Sequence, residues 1–85
     1  MAAIFNIKYD LLLRLYGVGY NYLIRTNRGF LWACTEKPIK EKNSICWIIG
    51  KKACPIRDYH LFKEICVLNT EPFNIEEALN ARGLL

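Results

Sequence analysis

The sequence predicts a small α+β domain: an N-terminal helix, an antiparallel meander of three or four strands, and a short C-terminal helix on one face of the sheet. Three observations carry that expectation. Apolar residues recur at helical spacing near the start, two aromatic and β-favouring segments flank a glycine turn, and a helix-capping tetrapeptide lies shortly before the end. With 85 residues there is room for one core, because a chain this short buries only about 60% of the surface it exposes when unfolded. No repeat, low-complexity tract or linker divides it, so residues 1–85 are expected to form one domain.

The first helix is read from Tyr9, Leu12, Leu13 and Tyr16, with Asn6 as N-cap, Asp10 and Arg14 placed to pair across one turn, and Gly17 and Gly19 as the stop. Ile7, Tyr9, Leu11, Leu13 and Leu15 also alternate as a strand would. The Leu-rich, non-β-branched composition favours helix. Residues 20–26 and 30–35 then flank Asn27-Arg28-Gly29, a hairpin in which Asn and Gly supply the positive φ angles of a tight connection. Lys37-Pro38 ends the second strand. Residues 45–49, apolar at every position, read as a buried third strand, and Gly50-Lys51-Lys52 turns the chain away. Ile65–Leu68 is expected as a fourth strand. Pro72 breaks what precedes it, and Asn74-Ile75-Glu76-Glu77 has capping-box spacing for a helix from Ile75 to about Ala81, closed by Gly83.

Composition narrows the function classes. No run of 18 uncharged apolar residues exists to span a bilayer, and Lys8, Asp10 and Arg14 cut across any secretory signal, so the expected location is the cytoplasm, with no membrane partner. Cys34, Cys46, Cys54 and Cys66 are then expected as reduced core thiols, free cysteine behaving as a small hydrophobe. There is no C-x-x-C pair and His60 is the one histidine, so no metal site is expected. Gly17-Val18-Gly19 lies after a helix and before a strand, the reverse of a phosphate-binding loop. Asp58-Tyr59-His60 offers no nucleophile at defined spacing. The expectation is a protein without catalytic residues or cofactor. The apolar share of 53% is high for so small a chain, which points to self-association, a homodimer or larger.

Charge is distributed unevenly. Residues 25–57 hold Arg25, Arg28, Lys37, Lys40, Lys42, Lys51, Lys52 and Arg57 against Glu36 and Glu41, a net +6, whereas residues 58–85 are net −3. The basic middle also holds the aromatic residues of the hairpin and third strand. Arg25, Arg28, Trp32, Trp47, Lys51 and Lys52 are therefore the candidate partner-binding residues, as exposed cations that steer and aromatics that anchor. Two occupants fit that pattern: a protein, since interfaces enrich Tyr, Trp and Arg, or a nucleic acid or nucleotide stacked on a basic sheet face.

The residues Leu11-Leu12-Leu13-Arg14-Leu15-Tyr16-Gly17, Gly19 to Thr26, Gly29-Phe30-Leu31-Trp32-Ala33 and Glu36-Lys37-Pro38 resemble those of small orphan proteins encoded by phages and prophages of Gram-positive bacteria. The closing Leu61-Phe62, Glu71-Pro72 and Ile75-Glu76-Glu77-Ala78-Leu79 resemble them too, although Val67-Leu68-Asn69-Thr70 stands where those proteins carry an acidic stretch. That resemblance implies no established activity, only that short phage proteins without enzymatic sites often act by binding and blocking a host protein, defence machinery included. The expected function is therefore that of a phage-type protein that inhibits or redirects a host protein.

Overall fold

Helix α1 (Ile7–Val18) begins the part of the chain that the computed structural model describes, residues 7–40, 44–58 and 60–85. The proposed N-cap Asn6 lies outside the described residues. Asp10 and Arg14 form the anticipated i,i+4 ion pair. Gly19, at φ +111°, ends the helix, and its N–H donates to the Leu15 and Tyr16 carbonyls at 3.1 Å. Gly17 stays helical. Leu12 and Leu15 are the helix's buried residues and face the sheet and the second helix.

The hairpin forms where it is expected, with β1 (Tyr22–Arg25) and β2 (Leu31–Cys34) paired antiparallel from Tyr22↔Cys34 to Arg25↔Leu31. Gly29 takes φ +89°, the Gly29 N–H donates to the Thr26 carbonyl, and the Thr26 hydroxyl accepts from the Phe30 N–H. This is the left-handed turn position that glycine fills without strain.

Two expectations about strands are corrected. Residues 45–49 do not supply a buried strand of the main sheet. Only β4 (Trp47–Ile48) is extended, and it pairs with β3 (Ile39–Lys40) in a separate two-stranded ribbon. Ile65–Leu68 is not a strand but part of two tight turns, closed by Ile65 N–H to the Phe62 carbonyl and Asn69 N–H to the Cys66 carbonyl. The strands that complete the main sheet are instead β5 (Ala53–Ile56), antiparallel to β2, and β6 (Phe73–Asn74), antiparallel to β1, giving the order β5-β2-β1-β6. Pro55 is tolerated because β5 is an edge strand, where a missing N–H breaks no ladder bond.

Helix α2 (Ile75–Ala81) follows directly. The Asn74 side chain accepts from the Glu77 N–H at 3.0 Å, and the end is a Schellman motif, with Gly83 at φ +69° and the Leu84 N–H reaching back to the Leu79 carbonyl.

Both faces of the central strands are covered. Leu23, Leu31, Ala33 and Ile56 form the core with Leu12, Leu15, Phe62, Ile65, Ile75 and Leu79. Alternation turns Ile24 and Cys34 to the opposite face, where they are buried as well. Of the thiols, Cys34 alone is buried and Cys54 is half-buried, while Cys46 and Cys66 are exposed, correcting the expectation of four core cysteines. No described helix is long and apolar enough to cross a membrane.

Candidate functional site

Arg25 pairs with Leu31 in the β1–β2 register and so projects from the core face of the sheet. Its guanidinium is committed there. Nε donates to the Ile65 carbonyl at 2.7 Å, Nη1 to the Gly29 carbonyl at 2.7 Å, and Nη2 to the Leu61 and Phe62 carbonyls, both at 3.0 Å. The 61–65 turns thus need no sheet ladder, because their carbonyls are satisfied by one cation. Phe62 holds a left-handed backbone, φ +58°, with its ring 2% exposed and tilted against Phe73 at a centroid distance of 5.9 Å. A bulky residue rarely adopts that conformation, so core burial and the Arg25 bond must hold it. Lys8 and Lys40 continue the pattern. Lys8 pairs with Glu64 at 2.5 Å, and Lys40 donates to the Val67 and Asn69 carbonyls while sitting 4.9 Å from the Trp47 ring centroid.

Trp32 and Trp47 are brought together. With Ile24, Asn27, Ile45 and Ile49 they line a cleft of about 270 Å³ between the second sheet face and the ribbon. Both indoles are half-buried, and the buried Trp47 N–H finds no acceptor among the described residues. Ribbon alternation turns Lys40 and Trp47 to one side and the cross-strand pair Ile39 and Ile48 to the other, leaving them 65% and 52% exposed. Ile45, in the cleft wall, and Phe30, next to the hairpin turn, are each about half exposed as well. This apolar surface was not legible in the sequence, where an unbroken apolar run looked like a fully buried strand.

The cations fall into separate groups. Arg28 lies in the hairpin turn, and Arg57 follows Ile56, the strand partner of Leu31, at the same end of the sheet. Lys63 lies there too, lining with Arg25, His60 and Cys66 a second cavity of about 420 Å³ that shares Thr26 and Asn27 with the tryptophan cleft. Arg28, Arg57 and Lys63 enter no ion pair among the described residues. Lys51 and Lys52 are at the other end, where the Lys52 carbonyl accepts from Thr35. Of the six residues singled out in the sequence, Trp32 and Trp47 therefore meet in the cleft, Arg28 lies in the hairpin turn whose Thr26 and Asn27 line it, Lys51 and Lys52 stand apart, and Arg25 is a core-face tether. Arg57 and Lys63 join the group only through long-range folding that no local pattern signals.

A cleft of this size holds one or two side chains rather than a cofactor, since small-molecule pockets run roughly 300–1,000 Å³. The second cavity is larger, but its guanidinium already gives its N–H groups to carbonyls. Among the described residues no three His, Cys, Asp or Glu side chains converge as metal ligands would. No protein family, curated protein or solved structure matches the chain.

Proposed function

We propose that this chain is a non-enzymatic interaction protein of the phage type, which binds a protein of its bacterial host and inhibits or redirects it. The observation that carries the reading is exposed apolar surface on the hairpin and ribbon: the Trp32–Trp47 cleft with Ile45 in its wall, Phe30 in the hairpin, and Ile39 and Ile48 on the other face of the ribbon. Exposed apolar surface with aromatic anchors and cations nearby is the anatomy of a protein interface. The indoles line a cleft beneath the ribbon rather than an open platform, which weighs against base stacking as the binding mode.

The test is comparative capture from a Gram-positive host lysate, with the wild-type chain and the double variant Ile39→Asp, Ile48→Asp as baits. Both substituted side chains are exposed, so the variant should keep the wild-type circular dichroism spectrum and melting temperature. The expected result is a host protein retained by wild type and by a Lys51→Glu, Lys52→Glu control, lost by the double variant, and altered in its own activity when the chain is added. Equal capture by the folded double variant would move the interface elsewhere.

A further inference from the structure

We infer that the occupant of this surface is an acidic protein segment that places a large apolar side chain in the Trp32–Trp47 cleft. The inference rests on the interaction reading above and adds the chemistry of the partner. Charge complementarity carries it. Arg28, Arg57 and Lys63 lie at the hairpin end and enter no ion pair among the described residues. Asp58, an exposed carboxylate next to Arg57 in the chain, likewise has no ion pair among the described residues, and Glu64 is held by Lys8. Of the other described carboxylates, Glu71 and Glu77 line a groove with Tyr22 and Lys37 on the β6 side of the sheet. A basic partner would meet uncompensated repulsion at the hairpin end, and like charges across an interface cost several kcal/mol in discrimination.

Size and polarity complete the description. The cleft's volume of about 270 Å³ suits an anchoring Leu, Phe or Met side chain between two indole rings. Edge-strand addition is the less suitable mode. The β5 edge carries Pro55 and is preceded by Lys51 and Lys52, and β6 is two residues long, so neither edge offers a run of free N–H and C=O groups.

A displayed library of random twelve-residue peptides, selected on the intact chain, tests the inference. The chain's two tryptophans both line the cleft, so intrinsic fluorescence excited at the indole edge reports occupancy when the peptide carries none. Selected peptides should be net acidic with a Leu, Phe or Met, shift the emission saturably, and bind at least about tenfold more weakly to an Arg28→Glu, Arg57→Glu variant, as expected when charge steering is reversed. Replacing their apolar residue by Ser should abolish the shift. Selection of neutral or basic peptides, indifference to the charge reversal, or failure to select any peptide would each overturn the inference. So would a twelve-residue oligothymidylate that binds as tightly as the best peptide, because a polyanion without side chains would then suffice. Host-protein capture that depends on Ile39 and Ile48 would stand through the first three outcomes, so the two readings fail separately.

Discussion

Replacing Arg25 by Ala should destabilise the fold by about 3 kcal/mol while leaving the hairpin-end apolar surface chemically intact. Each hydrogen bond to a charged group contributes roughly 1.5–3 kcal/mol, and a buried acceptor left without a donor costs about 1–3 kcal/mol. Arg25 donates to the Gly29, Leu61, Phe62 and Ile65 carbonyls, but its site is only half-buried, and water can reach some of the freed carbonyls. The total therefore falls well below the simple sum. For a domain of this size about 3 kcal/mol lowers the melting temperature by roughly 12–24 °C. Arg25→Lys should recover little, because one ammonium cannot span carbonyls drawn from Gly29, Leu61, Phe62 and Ile65. The assay is urea unfolding followed by far-ultraviolet circular dichroism, with Arg28→Ala as an exposed control expected within about 0.5 kcal/mol of wild type. If Arg25→Ala matches the Arg28→Ala control, the guanidinium does not organise the 61–65 turns and the reasoning fails.

Other outcomes follow from the same geometry. Ile75→Ala and Leu79→Ala, both fully buried in α2, should each cost roughly 2–5 kcal/mol by urea unfolding. Cys46 and Cys66 should react with a thiol reagent in the native state, whereas Cys34, buried and with its thiol pushed up to about 11 by that burial, should label only on unfolding; timed alkylation and mass spectrometry read the order. Burial alone would raise the Glu64 carboxyl, but the Lys8 hydrogen bond, a backbone N–H and the nearby Lys8 and Arg25 charges hold it below the usual range. A depressed acid stabilises the fold fully above its unfolded pKa of about 4.3 and loses that contribution as pH falls through the lower folded value. Glu64→Gln should therefore flatten a small part of the acid limb in denaturation between pH 5 and lower pH, by no more than about 1 kcal/mol for so exposed a pair. Self-association, if driven by the exposed Ile39 and Ile48, should appear in light scattering across a concentration series and disappear in the Ile39→Asp, Ile48→Asp variant.

The local signals of the sequence were read correctly where the cause is local. Gly29 acts through positive φ and Asn74 through capping, each within a few residues, although Asn27 takes no positive φ, and the α1 spacing lies within one helix. What failed depended on distance. Ala53–Ile56 carries no local strand signal, because Pro55 and small side chains lack β-propensity, yet β2 supplies a partner about 20 residues away in sequence, and the edge position excuses the proline. Ile65–Leu68 has β-favouring residues, but Phe62 and Ile65 enter the core from turns whose carbonyls Arg25 satisfies. The same reach explains the site. Trp32 and Trp47 were singled out for their chemistry and are neighbours in space, whereas Arg25 looked like its exposed counterparts until the register placed it on the core face.

Backbone hydrogen exchange on the chain with and without the host protein it captures locates the interface. New protection should be confined to the hairpin turn 26–30 and the ribbon segment 44–49, with residues 7–18 and 71–82 unchanged. Protection confined to α1 or α2, with the hairpin end exchanging as in the free chain, would contradict that placement.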